Sequence, residues 1–206
     1  MTLAEIRAAV KSNLRDAAAS SQSRWPNSEI DRYINMGLLD IARSADRRKL
    51  ISQNVAGGAE TVAMPNDCLV LEGLAWEQNG VRYALQPASS DLPGSNDVTG
   101  LPTVYWILGD YVYLRPVPNA NGTLWFVYRP RPPALVNDGD TPALPNVDNL
   151  LIAYATWKCF LADGDGQFQL WQNEYTMELS RWLSSERQQQ YVARRILNRL
   201  RGLLHG

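Results

Sequence analysis

The sequence predicts an α+β protein: an antiparallel helical bundle with an inserted antiparallel β-subdomain and a C-terminal amphipathic helix. Three observations carry that expectation. Apolar residues recur at three- and four-residue steps over residues 1–50 and 136–186, the spacing of helices with one buried face. Residues 51–135 instead break into short β-rich runs separated by turn residues. The last stretch, 187–206, carries five arginines and no acid.

Thr2 followed by Glu5 forms a capping box, and Leu3, Ile6, Val10, Leu14 and Ala17 mark the apolar stripe of a first helix running to about Ala19. The polar stretch Ser20 to Arg24 breaks it. A second helix starts with an N-cap oxygen from Asn27 or Ser28, with Trp25 packing back on the first turn. Its stripe is Ile30, Tyr33, Ile34, Leu38, Ile41 and Ala45, and it ends in Arg47-Arg48-Lys49, where a helix C-terminus favours positive charge.

In the β-subdomain the expected strands are Glu60 to Met64, Leu69 to Glu77, Val81 to Leu85, Thr103 to Leu108, Tyr111 to Arg115 and Leu124 to Tyr128. Asn79-Gly80 and Gly109-Asp110 sit at the two-residue spacing of tight hairpins, and Asn121-Gly122 is expected to supply a left-handed corner. An antiparallel meander or small barrel follows, with Pro87 to Pro102 as a long polar loop. A third helix begins near Pro145; Leu150 to Ala162 is apolar except for Thr156 and Lys158, which places it at the centre of the core. Gly164 and Gly166 separate it from a fourth, whose aromatic stripe of Phe168, Trp171, Tyr175, Leu179 and Trp182 is expected to face inward. Tyr191 to Leu204 reads as a last helix. At 100° per residue Val192, Ile196, Leu197, Leu200, Leu203 and Leu204 share one arc, and Arg194, Arg195, Arg199 and Arg201 fill the opposite one.

Composition excludes several functions. The formal net charge is -1 over 206 residues, so wholesale polyanion binding is not expected. The charge is segregated, however: +3 over residues 1–50, -9 over 51–186 and +5 over 187–206. Two cysteines, Cys68 and Cys159, make no disulfide framework and fit a reducing compartment. Glu5 and Arg7 interrupt any secretory apolar run, and no stretch reaches the roughly 20 apolar residues of a membrane span, so synthesis in the cytosol and no membrane association are expected. The single histidine, His205, leaves no seat for a histidine-based triad or metal site, and no phosphate-cradling glycine motif is present. The expectation is no catalytic residue, no metal and no cofactor.

The remaining candidates are weaker. Asp163-Gly164-Asp165-Gly166 with Glu174 has the outline of a calcium loop, but the position needing glycine is Phe168, so a helix-to-helix turn is the better reading. Asp138 and Asp140 fit a polar turn. Trp106, Trp125, Tyr105, Tyr111 and Tyr113 form a potential stacking platform, which for nucleic acid would need a cationic groove; they sit in the acidic middle segment. The terminal basic helix allows packing on its own subunit, binding at a membrane surface, or docking on another protein. Membrane binding is the weakest, because the apolar arc has no Trp or Phe.

The order of several motifs resembles the head-to-tail adaptor (connector) proteins of tailed bacteriophages. The residues that carry it are the opening Met-Thr-Leu-Ala-Glu-Ile-Arg; Trp25 ahead of Ser28 to Asn35, with Asp40 to Arg43; Met64 to Leu69; Gly100 to Trp106; and Leu114 to Pro118 with Leu124 to Tyr128. It spans about residues 1–185. The resemblance implies a structural, non-enzymatic virion subunit of the phage neck, synthesised in host cytoplasm, that forms a homo-oligomeric, twelvefold ring (a dodecamer). That ring would bind the portal protein above and a tail or nozzle protein below. It would extend the channel through which double-stranded DNA passes during ejection without specific binding. With such a partner, the segment from Arg187 onward is expected to dock on the portal through Arg187, Val192, Arg194, Arg195, Ile196, Arg199, Leu200, Arg201 and Leu203. A different reading is a glycan-binding or fibre-like phage tail module that uses the aromatics of the β-subdomain.

Overall fold

A computed structural model describes the backbone of residues 1–16, 24–88 and 98–204, and side chains as far as residue 188. The chain divides into two compact units: Met1–Asp46 with Pro132–Gly206, and Arg47–Arg131.

The helical unit contains α1 (Leu3–Asn13), α2 (Asn27–Ser44), α3 (Asp148–Asp163) and α4 (Phe168–Leu204). The Thr2/Glu5 capping box forms in full at α1. This helix is shorter than its stripe suggests: Leu14 caps it and Arg15 turns into the left-handed region at φ 54°. Ala17 and Ala19 lie outside the described residues. At α2 the N-cap is Pro26, with no side-chain cap hydrogen bond. Asn27 and Ser28 are already helical, because proline's fixed φ favours that position and its missing N–H costs nothing there. The helix ends at Ser44, so Arg47-Arg48-Lys49 lies beyond it, and Lys49 opens a strand.

α3 packs against α1, α2 and α4 and buries Leu150, Leu151, Ala153, Tyr154, Ala155, Thr156, Cys159 and Phe160. Burial pushes the Cys159 thiol up to about 12. α2 approaches α3 closely at Gly37, where a Cβ would stand 2.9 Å from Tyr154 Cδ1. The expected fourth and last helices are one continuous element, α4, because no residue between Trp182 and Tyr191 is Gly or Pro. Of its aromatic stripe Tyr175 and Trp182 are buried, whereas Phe168, Trp171 and Leu179 are only half-buried.

In the second unit seven strands form one sheet in the order β1 (Lys49–Val55), β9 (Gly122–Pro130), β3 (Cys68–Gln78), β4 (Val81–Pro87), β6 (Val104–Leu108), β7 (Tyr111–Arg115) and β2 (Thr61–Ala63). The short strands β5 (Thr99–Gly100) and β8 (Val117–Pro118) pair separately. The sheet is mostly antiparallel, but β4 runs parallel to β6, with Gln86 opposite Val104, and β5 runs parallel to β8. The expected purely antiparallel subdomain is thus corrected. The physical reason is the long connection between β4 and β6, since tight turns enforce antiparallel pairing and long crossovers release it. Asn79-Gly80 and Gly109-Asp110 close hairpins at the registers Gln78 with Val81 and Leu108 with Tyr111. Gly122 is no left-handed corner. Its role is close approach, because a Cβ there would lie 2.2 Å from Trp76 Cζ2. The buried face of the sheet gathers Leu74, Trp76, Leu85, Val112, Leu114, Leu124, Phe126 and Tyr128.

Candidate functional site

In the helical unit the acidic turn before α3 works structurally. Arg7, only 12% exposed, grips Asp31 with two hydrogen bonds of 2.8 Å and reaches Asp138 at 3.0 Å. The Asp140 carboxylate accepts the backbone N–H groups of Asn137 and Val136, which holds it below the usual carboxylate range. Asp163 pairs with Arg24 at 2.6 Å, and Asp165 accepts the Gln167 N–H. The carboxylates considered for calcium are therefore occupied by an arginine and a turn, while Glu174 stands exposed on α4.

α4 is anchored by two side chains. Tyr175 donates to Asp40 Oδ2 at 2.5 Å and Trp182 Nε1 donates to the Pro145 carbonyl at 3.1 Å. Tyr175 also sits edge-on to Tyr154 and stacks with Trp157, and Lys158 Nζ lies 3.9 Å from the Trp157 ring centroid. Burial, with the Asp40 hydrogen bond, drives the Tyr175 phenol far above its ordinary range. Downstream, Arg187 is exposed. Val192, Arg194, Arg195, Ile196, Arg199, Leu200, Arg201 and Leu203 belong to α4 by backbone, and their side chains lie outside the described residues. At ~1.5 Å per residue the stretch from Arg187 to Leu204 adds roughly 27 Å of helix.

On the β unit the aromatic platform is largely covered. Tyr105 is in the core. Arg82 lies 3.9 Å over the Trp125 ring while Trp125 Nε1 donates to Glu77. Trp106 stacks on Tyr113 at 5.6 Å, with Arg115 over it. Trp106, Tyr113 and Trp125 are half-buried and Tyr111 is 51% exposed, so of these five rings Tyr111 is the most open. The strand tips also form a shallow cleft of ≈ 640 Å³ whose polar lining includes Asn54, Gln78, Asn79, Asn121 and Thr123. Three of these amides accept hydrogen bonds: Asn121 Oδ1 from the Gly57 N–H, Gln78 Oε1 from Trp76 Nε1 and Asn54 Oδ1 from the Thr123 hydroxyl.

Charge is distributed differently from the sequence segments. The β unit, residues 47–131, is balanced at seven bases and seven acids. The helical unit without residues 187–206 has eight bases and fourteen acids. The aromatics are therefore not in the acidic part, contrary to expectation; the deficit of positive charge sits on the helices. Among the described residues no helix is long and apolar enough to cross a membrane.

Two helices, a β-rich unit and two further helices follow one another along the chain. In comparison with known families, the model described as SU10 adaptor protein matches residues 1–199. The chain belongs to that family of phage head-to-tail adaptors. No curated protein matches the chain. The family is a structural one whose members imply contact with portal and tail proteins and a place in the virion. The match reaches past residue 185 and takes in Arg187 to Arg199, so most of the basic segment is part of the family's pattern. What sequence reasoning missed is the anchoring of α4 by Tyr175 and Asp40. Asp40 is remote from Tyr175 in sequence, and only the apolar period of α2 hinted at the helix carrying it.

Proposed function

We propose that the protein is a structural, non-enzymatic adaptor that assembles as a twelvefold ring below the portal, lengthens the DNA channel and offers its lower face to a tail or nozzle protein. The observation that carries this reading is the family match over residues 1–199. The charge layout supports it: an acidic helical unit suits a conduit that must pass double-stranded DNA without holding it, since phosphate binding depends on neutralising cations. The basic end of α4 is the portal-docking element. Arg187, Arg194, Arg195, Arg199 and Arg201 meet portal carboxylates and the Val192, Ile196, Leu200, Leu203 arc meets an apolar groove, with charge setting encounter rate and orientation more than affinity.

Native mass measurement of the protein with purified portal tests the ring; a complex with twelve copies is expected, and absence of any complex overturns the reading. Ending the chain after Glu186 should abolish co-sedimentation with portal, and raising salt should weaken it in the full chain. Binding that survives the truncation would overturn the role of the segment.

A further inference from the structure

The outward side of α3 and α4 carries a groove of ≈ 210 Å³ lined by Asn149, Ile152, Ala153, Trp171, Glu174 and Glu178. Its lining combines apolar Ile152, Ala153 and Trp171 with two acids, Glu174 and Glu178. On α4, Leu170 and Met177, 66% and 51% exposed, flank Glu174 one turn to either side. Together they continue the groove's apolar surface along the helix at three- and four-residue steps. Glu178 is engaged by Arg181, itself 66% exposed, and Glu174 has no ion pair among the described residues. Such a surface fits an amphipathic helix that is aliphatic on one side and basic on the other.

This chain contains that helix. Residues 187–206 hold five arginines, no acid, and an aliphatic arc at helical spacing, while the rest of the helical unit carries six more acids than bases. A subunit cannot satisfy its own groove, because α4 is continuous from Phe168 to Leu204. Glu174 and Ile196 are thereby held roughly 33 Å apart on one rod. We propose that the α3/α4 groove receives the basic C-terminal segment of α4 from a second copy of this chain. The contact is head-to-tail, each copy giving one helix end and accepting another, which generates a ring when the rotation between successive copies closes. The groove spans roughly 12 Å between Leu170 and Glu178 against roughly 27 Å of basic helix, leaving about half of the segment for a further partner. The proposal rests on the reading of this segment as a docking element and concerns the protein without portal, whose contact draws on the same arginines and aliphatic arc.

The test uses the full-length protein without portal, followed by sedimentation at low and high salt. The expected behaviour is self-association whose dissociation constant rises about tenfold or more as ionic strength is raised from about 50 to 500 mM. Two variants each lose one half of the contact: Glu174→Lys/Glu178→Lys blocks the groove, and a chain ended after Glu186 lacks the helix end. Each alone should be monomeric. Mixed, they should form a one-to-one pair and nothing larger, because one intact groove and one intact helix end remain. Adding Arg194→Glu, Arg195→Glu and Arg199→Glu to the groove-blocked chain should restore self-association, which controls for misfolding. A groove-blocked chain that associates like the parent, a mixture that stays monomeric, or a parent that is monomeric at low salt would overturn the proposal. Co-sedimentation of the groove-blocked chain with portal reads the portal contact independently: it should persist, and its loss in the truncated chain alone reports on the portal reading.

Discussion

The two units of this protein are held together by different chemistry. In the β unit most of the order is backbone ladder. β3, for example, pairs on both sides, with β4 and β9, so its position is fixed by hydrogen bonds every residue can make. Among the described residues the helical unit has no ladder between its elements; its helices share a buried apolar core, and specific side chains join segments far apart in sequence. Asn35 exchanges two hydrogen bonds with the Leu135 backbone at 3.0 and 2.8 Å; Arg7 ties α1 to α2 and to Asp138; Tyr175 and Trp182 secure α4. The comparison teaches where single substitutions act. Removing one polar atom weakens a helix contact by a hydrogen bond's worth, whereas in either unit the larger loss comes from violating the packing.

The largest effects test whether the two cores are independently vulnerable. Trp76→Ala in the sheet and Trp182→Ala in the helices should each cost ~3–5 kcal/mol as large-to-small changes at buried sites. Hydrogen exchange should show the β-strand amides opening first in one variant and the helical amides in the other. Equal opening everywhere in both would break the comparison. Half-buried Trp171 should cost clearly less when replaced by Ala, a gap that the same melts would measure.

Next come the two close approaches. Gly122→Ala drives a methyl to 2.2 Å from Trp76 Cζ2 and 2.8 Å from the Glu77 carbonyl, a contact that must displace backbone, and should cost ~1–3 kcal/mol or more in thermal denaturation. Gly37→Ala meets only the Tyr154 side chain, at 2.9 Å, and recovers about 1 kcal/mol of helix propensity, so a smaller loss is expected.

Tyr175→Phe removes one oxygen and leaves Asp40 without that donor; the expected cost is about 1–3 kcal/mol. It also sharpens the pH behaviour. Because the folded-state phenol is raised, its contribution is complete below the unfolded value of about 10 and is lost as pH rises through the folded value. Circular dichroism between pH 9 and 12 should therefore show the parent destabilising progressively, and the Phe variant less so. The smallest effect is acidic. Hydrogen bonds from Lys49 and Tyr128 hold the Asp67 carboxyl below its usual range. Its contribution to the β unit is present above about pH 4 and fades as pH falls through the folded value; Asp67→Asn should flatten that acid limb.

Much of this protein was determined by the sequence alone. The Thr2/Glu5 cap, the turns at Asn79-Gly80 and Gly109-Asp110 and the buried period of α3 are local, and local sterics and hydrogen bonding decide them without knowledge of the remaining chain. The ordered motifs from Met1 to Tyr128 were enough to suggest the adaptor family. Tertiary structure decided everything that depends on pairing across long separations. Lys49–Val55 became strand β1 because β9 offered it an edge, although its sequence gave no clean alternation. Parallel pairing of β4 with β6 followed from a connection long enough to permit it. Gly122 serves Trp76 rather than a turn, Tyr175 finds Asp40 on another helix, and Trp171 lines a groove. Residue type announces which partners are chemically possible; only the folded chain brings one of them within 3 Å.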